Sequence, residues 1–235
     1  MTQLSLIKAT SPEIPACIDL RLADVADVLE DVARGPVDLV VADPPWGHYS
    51  LGFGNTLPHD VYQCISEDMI GQHLQQAVYR LRAGGRLALW TCWPLLVEAL
   101  HDDLPAWLKL DRLQWKTGGA WSKDGPPSNG YHWRGHSEPV IVGVRRGGSA
   151  GRARVVLRSG YTSRPEEHSR KPVPWIADWV RAWVPPGGLV LDLYAGLGSV
   201  AEAVAAAGEG RRYIGAEVDE DRHRAAMAKV RRAIT

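Results

Sequence analysis

The sequence predicts an α/β fold of the Rossmann-like type, in which a mostly parallel, seven-stranded sheet carries helices on both faces. Two observations lead to this prediction. Strand-like and helix-like segments alternate along most of the chain, which is the pattern of a doubly wound sheet. Val37–Ala42 is also a short apolar run, typical of a parallel strand that is buried on both faces. A chain of 235 residues fits one domain of this kind, and we expect residues 1–235 to form it.

The first part of the chain is predicted to contain two strands, one helix and a loop. Residues 17–23 form a short strand-like run, and residues 24–33 place valines and a leucine on one face at helical spacing. Residues 37–42 form the buried strand described above. Residues 47–64 are predicted to be a loop.

The middle of the chain is predicted to contain two helices, two strands and a second loop. Residues 67–81 predict a helix that ends before a pair of glycines, and residues 86–91 predict the next strand. Residues 95–104 are predicted to be helical, and residues 108–115 to form a strand. Residues 116–138 are rich in Gly, Pro and Ser, and so long a loop inside a domain usually has a function.

The last part of the chain has the clearest alternation of strands and helices. The predicted strands are residues 139–144, 189–193 and 212–216, and the predicted helices are residues 173–184, 200–207 and 220–234. The first of these helices carries Trp175, Trp179 and Trp183, which are four residues apart and form one stripe. We predict that this stripe packs in the core rather than against a ligand.

The composition is that of an ordinary globular protein, with 45% hydrophobic and 23% charged residues. The formal net charge is zero, so any surface for a polyanion must be local. The three cysteines lie too far apart in the sequence for a zinc motif or a disulfide framework. There is no signal peptide and no apolar run long enough to cross a membrane, so we expect a cytoplasmic protein.

Positive charge is concentrated in residues 145–171, which hold eight lysines and arginines against two glutamates. The segment is either a solvated loop or a surface that binds phosphates. The arginines that we assign to a phosphate-binding surface are Arg145, Arg146, Arg152, Arg154 and Arg158.

A glycine-rich turn, DLYAGLGS, follows one predicted strand and begins a helix. Gly196 and Gly198 let the backbone approach a ligand closely, and the helix N-terminus offers unpaired N–H groups. The turn lacks the third glycine of the dinucleotide pattern, and its form, from Asp192 through the aromatic Tyr194, is instead the one that binds S-adenosylmethionine. About twenty residues later, Glu217 ends a strand, where a carboxylate can accept hydrogen bonds from two ribose hydroxyls. The two motifs together predict a cofactor site.

Lys171 precedes the tryptophan-bearing helix in the motif EHSRKP. A lysine is electrostatically disfavoured at a helix N-terminus, so we expect it to pair with an external anion. The carboxylate of the cofactor's methionine moiety is a natural candidate. The alternative is a solvated lysine in a basic loop.

The motif DPPW turns the chain sharply at the end of the buried strand. Pro44 biases Asp43 toward an extended backbone, and Pro45 fixes the next dihedral angle. In an open α/β sheet such a turn lies beside the ligand crevice. There the Asp43 carboxylate and the Pro44 carbonyl can accept both N–H bonds of an exocyclic amine, while Trp46 stacks on the base. We predict a site for an adenine amine, with an ordinary turn as the alternative.

These motifs resemble those of the adenine-N6 methyltransferase family, which includes the eukaryotic messenger-RNA adenosine methyltransferase and bacterial and phage DNA-modifying relatives. The similarity covers roughly residues 18–220. It rests on VDLVVADPPW, the pattern Y-x-x-x-S-x-x-x-I from Tyr62, GGRLALWT, Trp115-Lys116, RGHSEPVIVGVRRG and EHSRKP. The catalytic motif comes first and the glycine loop last, which is similar to the permuted beta-class amino-methyltransferases of DNA. The resemblance implies a class I methyltransferase fold.

The resemblance also implies roles for single residues. The four residues of DPPW would form the catalytic motif and bind the target base. Asp24 would contact the adenine of the cofactor, Lys171 its carboxylate and Glu217 its ribose. For Asp24 the alternative is a simple N-cap of the helix that follows.

We therefore expect an S-adenosylmethionine-dependent methyltransferase that acts on the N6 amine of adenine in DNA. RNA-modifying members typically carry a degenerate glycine motif, whereas DLYAGLGS is close to the form in the DNA enzymes. The alternatives are adenine in RNA, the N4 amine of cytosine, and a catalytically silent subunit that binds nucleic acid. Methyl transfer from a sulfonium needs no metal, and we expect none. The candidate nucleic-acid-binding insertions are residues 47–64, 116–138 and 145–171, in a protein that is a monomer or a homodimer.

Overall fold

The described part of the chain is built on one sheet, with helices packed on both of its faces. The computed structural model describes residues 16–45, 65–91, 104–124, 137–148, 161–162 and 170–233. The strands are β1 Ile18–Leu22, β2 Val37–Ala42, β3 Leu81–Trp90, β4 Leu113–Asp124, β5 Ser137–Arg145, β6 Tyr161–Thr162, β7 Leu189–Asp192 and β8 Arg212–Glu217. The helices are α1 Val25–Asp31, α2 Glu67–Arg80, α3 Val173–Trp183, α4 Ser199–Ala207 and α5 Glu220–Ala233. A short 3₁₀ helix covers Ala106–Leu108.

The strand order in the sheet is β1-β8-β7-β2-β3-β5-β4-β6. The strands from β1 to β3 in this order run parallel, and β5 is antiparallel to both of its neighbours. The two-residue strand β6 pairs with the end of β4. The predicted Rossmann-like, mostly parallel sheet of seven strands is therefore confirmed, and β6 is a small addition at one edge.

Each face of the sheet buries its own apolar cluster. On one face α1 and α2 pack against the sheet, and on the other face α3, α4 and α5 do so. Trp175 and Trp179 of α3 are both 2% exposed, with ring centroids 4.5 Å apart. Trp183 is partly buried and stacks on Trp179. The tryptophan stripe therefore packs in the core, as predicted.

Two strand boundaries differ from the prediction. Strand β3 begins at Leu81 and not at residue 86, so the predicted glycine stop lies inside the strand. Strand β4 begins at Leu113, after the 3₁₀ helix, and continues to Asp124 through residues 116–124 of the predicted loop. In β4 the neighbouring strand β5 supplies the pairing, for example Ser122 with Ser137, and this outweighs the low strand preference of glycine. In β3, Leu81 pairs with Val37 and the next pair is Arg86 with Leu39, so the two glycines lie in an irregularity of the strand.

Several predicted segments lie outside the described residues. They are the loop 47–64, all but the last residue of the helix 95–104, and most of the basic segment 145–171. Among the described helices, none has the length and apolar composition that a membrane span requires.

Candidate active site

The carboxyl ends of the parallel strands bring most of the predicted site residues to one edge of the sheet, which we call the carboxyl edge. Asp43 follows β2, Asp192 ends β7 and Glu217 ends β8. Strand β5 runs the other way, so Glu138 near its start lies at the same edge, beside the end of β3. Ligands of open α/β sheets bind at this edge. The fold therefore places four carboxylates where a ligand is expected.

Lys171 joins two of these carboxylates. Its Nζ lies 2.9 Å from Oδ2 of Asp43 and 2.9 Å from Oε2 of Glu138, and its side chain is 13% exposed. The ammonium also lies 5.0 Å from the ring centroid of Trp90. Burial alone would lower the pKa of Lys171, but Asp43 and Glu138 outweigh it and raise the pKa above its ordinary value. The argument that Lys171 needs an external anion is therefore wrong, because the fold supplies two. Its contact with a cofactor stays a prediction.

The neighbouring residue Arg170 fixes the same segment to helix α4. Its Nη2 donates hydrogen bonds to both carboxylate oxygens of Glu202, at 2.9 and 2.7 Å. The Glu202 side chain is 8% exposed, so the ion pair is shielded from solvent on one side. Residues 170 and 171 are thus tied to a helix and to the sheet. The alternative of a solvated lysine in a basic loop does not apply to Lys171.

Asp192, at the end of β7, holds the start of the glycine loop by a hydrogen bond. It is 1% exposed, and its carboxylate accepts hydrogen bonds from the Tyr213 hydroxyl, at 2.9 Å, and from the Tyr194 backbone N–H. Burial raises the pKa of Asp192 to about 7, the two hydrogen bonds oppose this shift, and repulsion by Asp43 and Glu217 adds to it. The geometry indicates that Asp192 holds the loop, and its predicted contact with a cofactor stays a prediction.

The two glycines of the loop are needed for different reasons. Both have a positive φ, 52° at Gly196 and 81° at Gly198. A Cβ at Gly198 would lie 2.9 Å from the Cβ of Ala226 on α5, so helix packing excludes a side chain there. A Cβ at Gly196 would meet nothing within 4 Å. Gly198 therefore serves the packing of the fold, whereas open space adjoins the backbone at Gly196.

Glu217 ties this loop to the end of β8. Its Oε2 accepts a hydrogen bond from the Gly196 N–H at 2.7 Å, and its Oε1 accepts one from the Asp219 N–H at 2.9 Å. Each carboxylate oxygen can accept a second hydrogen bond, so both ribose hydroxyls of a nucleoside could still be bound. The open space at Gly196 and the carboxylate beside it fit an adenosyl group.

Asp24 lies near the glycine loop and also caps helix α1. Its Oδ1 accepts a hydrogen bond from the Ala26 N–H at 2.8 Å, so the N-cap interpretation is confirmed. Burial raises the pKa of the Tyr194 phenol, and the Asp24 carboxylate raises it further. The Tyr194 hydroxyl lies 3.0 Å from Nδ1 of His73 on α2. Contact of Asp24 with a cofactor stays a prediction.

The first two predicted phosphate-binding arginines lie at the opposite edge of the sheet. Arg145 ends β5, which is antiparallel to β3, and Arg146 follows it. The Arg145 guanidinium donates to the Leu81 carbonyl, and Arg146 is exposed. Neither residue therefore adjoins Asp43. Four further residues of the predicted site lie outside the described residues, and their roles stay predictions. They are Trp46, Arg152, Arg154 and Arg158.

Pro44 is buried and Pro45 partly buried directly after β2. Within the described ranges, no group of three or more His, Cys, Asp or Glu side chains could hold a metal ion.

Glu138 and His73 are two residues of the site for which no role was predicted from the sequence. Glu138 reaches the site only because β5 runs antiparallel next to β3, which no local pattern shows. His73 contacts Tyr194 across 121 residues of sequence. A histidine on the half-buried side of an otherwise apolar helix face is a weak signal, and strand order is needed to interpret it.

Comparison with solved structures shows the fold class. M1.HpyAVI, solved as a complex with SAM, superposes with a TM-score of 0.66 at 15% identity, over 91% of this chain and 98% of that chain. PvuII DNA methyltransferase (cytosine-N4-specific) superposes with a TM-score of 0.63 at 12% identity, over 93% of each chain. The chain has the Rossmann-like class I methyltransferase fold.

Comparison of sequences relates part of the chain to a known family. Residues 121–228 match the family model described as DNA methylase. A protein of Escherichia coli (strain K12) named "Putative methylase YubD" is 28% identical over 227 residues, which cover 90% of this chain and 90% of that protein. These matches agree with the resemblance to DNA methyltransferases seen in the motifs, which is confirmed at that level.

Proposed function

We propose that this protein is an S-adenosylmethionine-dependent DNA methyltransferase that methylates the N6 amine of adenine. The observation that carries the proposal is the place of Asp43, whose carboxylate stands at the end of β2 with one oxygen held by Lys171. The glycine loop begins on the adjacent strand β7, and the Leu193 N–H donates to the Val41 carbonyl at 3.1 Å. The residues for the target amine and those for the cofactor are thus neighbours.

Asp43 is suited to polarise the target amine. Lys171 holds its Oδ2, and an ionised carboxylate retains further acceptor sites that an amine N–H can use. The lone pair of an adenine amine is delocalised into the ring, which makes the nitrogen a poor nucleophile. Hydrogen bonds to Asp43 and to the Pro44 carbonyl would draw the nitrogen toward tetrahedral geometry and localise that lone pair. Catalysis would then consist mainly of positioning and of electrostatic stabilisation.

The residues around the glycine loop would hold the cofactor. When bound, S-adenosylmethionine supplies an electrophilic methyl group on its sulfonium. Glu217 would bind the ribose, and the space at Gly196 would let the backbone approach the adenosyl group. Lys171 has three N–H donors, of which Asp43 and Glu138 accept two, and the third can reach a methionine carboxylate. Lys171 would then connect the target-base side of the site to the cofactor side.

The choice of base and of nucleic acid rests on the motifs. DPPW and the glycine loop resemble those of the adenine-N6 enzymes, and the match to the DNA methylase family supports DNA. The N4 amine of cytosine is the second candidate, because the cytosine-N4-specific PvuII DNA methyltransferase has the same fold. A base in duplex DNA would have to be flipped out, since Asp43 can bind only an exposed base edge.

Mass spectrometry of nucleosides tests the proposal. The protein and its Asp43→Ala variant would be produced in a host whose DNA lacks both N6-methyladenine and N4-methylcytosine, and the DNA and RNA would be digested separately. We expect N6-methyladenine in the DNA of cells with the wild-type protein and not with the variant. N4-methylcytosine without N6-methyladenine would establish the second candidate. Cofactor binding with no methylated base in either nucleic acid would instead support a catalytically silent subunit.

A further inference from the structure

We propose that His73 is a positioning residue for the cofactor: it holds the Tyr194 side chain, and with it the glycine loop, in the orientation that binds S-adenosylmethionine. The identity of the ligand rests on the proposed function. The contact itself rests on the structure, in which Nδ1 of His73 and the Tyr194 hydroxyl are 3.0 Å apart. The two ring centroids are 6.1 Å apart and the ring planes are inclined by 42°.

The protonation states of both partners allow a hydrogen bond between uncharged groups. Burial lowers the pKa of His73, and the Asp24 carboxylate opposes this shift. Burial also raises the pKa of Tyr194, and Asp24 adds to that shift. Near neutral pH the imidazole and the phenol are therefore both uncharged. Either tautomer of an uncharged imidazole can make this hydrogen bond. In the arrangement proposed here the Tyr194 O–H donates to an unprotonated Nδ1, and Nε2 carries the imidazole proton.

The backbone on either side of the Tyr194 ring is already fixed by other contacts. The Tyr194 N–H donates to Asp192, and the Gly196 N–H donates to Glu217 at 2.7 Å. The remaining freedom of this part of the loop is the orientation of the Tyr194 ring. The hydrogen bond to His73 restrains the orientation of the ring. His73 is itself held in place, because helix α2 is anchored in the core by its buried Leu74.

The position of the ring matters because of what surrounds it. Tyr194 is two residues from Gly196, beside whose backbone there is open space. It is also close enough to Asp24 for that carboxylate to raise its pKa. A ring that turned away from His73 would leave its hydroxyl without this partner in a partly buried place, which is unfavourable. Such a turn would also change the shape of the space beside Gly196, where we expect the cofactor to bind.

Three variants separate positioning from general damage. Tyr194→Phe and His73→Leu each remove the hydrogen bond with little change of shape. His73→Asn keeps an amide near the position of Nδ1 and should act as the conservative rescue. Titration calorimetry with S-adenosylmethionine and with its demethylated product would measure affinity, and thermal unfolding of each variant without ligand would show that it is folded.

We expect either single change to weaken cofactor affinity about fivefold, which corresponds to the usual net contribution of one hydrogen bond. The double variant should be no weaker than the singles, because one interaction is lost in each case. His73→Asn should recover most of the affinity. In steady-state kinetics the KM for the cofactor should rise while kcat and the affinity for DNA stay at wild-type values.

Nuclear magnetic resonance of the His73 ring nitrogens, in the protein without cofactor, provides a readout that does not depend on activity. We expect an unprotonated, hydrogen-bonded Nδ1 that changes in Tyr194→Phe. A protonated Nδ1, wild-type cofactor affinity in both single variants, or losses that add in the double variant would overturn the inference. If the wild-type protein binds no S-adenosylmethionine although the Nδ1 signal is as expected, the proposed function fails, and the role of His73 toward this cofactor fails with it.

Discussion

Replacing Lys171 by methionine removes the cation between two carboxylates, and the structure allows the cost to be estimated. Asp43 Oδ2 and Glu138 Oε2 each lie 2.9 Å from Nζ, so the two oxygens are at most about 6 Å apart. Two negative charges at this distance repel each other by about 3 kcal/mol at an effective dielectric constant near 20. Methionine keeps the length of the side chain and its packing on Trp90, so little of the loss comes from a cavity. We therefore expect the free energy of unfolding to fall by about 3 kcal/mol.

Urea unfolding in the absence of DNA and cofactor would measure this loss. The pKa of Lys171 is raised in the folded protein, so its contribution is complete below the ordinary value of 10.5 and is lost only as pH rises through the higher folded value. A measurement near pH 7.5 therefore records the whole effect. Adding Glu138→Gln to Lys171→Met should recover most of the stability, because only one carboxylate then remains.

The exposed Lys109 provides a matched control, and Lys109→Met should change the unfolding free energy by no more than about 0.5 kcal/mol. The reasoning would be refuted if Lys171→Met were as stable as this control. It would equally be refuted if Glu138→Gln recovered nothing, since the repulsion would then not be the cause.

Four further predictions follow from the site and the sequence. S-adenosylmethionine and its demethylated product should raise the melting temperature whereas NAD should not, and equal stabilisation by NAD in thermal scans would contradict the cofactor assignment. Asp43→Asn replaces one acceptor by a donor amide and should lower single-turnover methylation on the order of a hundredfold with little change in cofactor affinity; a near wild-type rate would make Asp43 a turn residue only. Burial raises the pKa of Asp192 to about 7 in the folded protein, so the stability that this group contributes is complete below its unfolded value and is lost as pH rises through about 7. Asp192→Asn should remove that loss, which amounts to up to about 4 kcal/mol in all and to somewhat less than about 3 kcal/mol between pH 5 and pH 8, where urea unfolding should show the difference; parallel pH profiles of variant and wild type would argue against it. Neutralising Arg152, Arg154 and Arg158 together should weaken DNA binding and flatten its salt dependence, and an unchanged salt slope would show that the phosphates are bound elsewhere.

The parts of the site that could be predicted from the sequence are those in which a motif directly follows a recognisable strand in the chain. Asp43 follows an apolar strand, and the glycine loop follows another, so both motifs had to lie at the carboxyl edge of a parallel sheet. The N-cap at Asp24 could be predicted for the same reason, because its partner is only two residues away. Each of these assignments needed no knowledge of strand order.

The parts that could not be predicted depend on pairing between distant segments. The partners of Lys171 are Asp43, which is far away in the sequence, and Glu138, which reaches the edge only through the antiparallel course of β5. Strand β4 continues through Gly118 and Gly119 because β5 offers it a hydrogen-bonding partner there. Glycine-rich composition indicated a loop, and pairing overrode it.

The course of β5 also decides which arginines of the basic segment can serve the target base. Strand β5 has nine residues, so its two ends are separated by roughly 27 Å at the usual rise per residue. Arg145 stands at the end opposite Asp43 and donates to the Leu81 carbonyl, whereas Lys171, at the other end of the segment, contacts Asp43 itself. Under the proposed function a flipped base would enter at the Asp43 edge, and an arginine side chain is too short to reach its phosphates from the other edge. Arg145 would therefore not contact the phosphates of the target nucleotide, and its hydrogen bond to the Leu81 carbonyl gives it a role in the structure of the sheet.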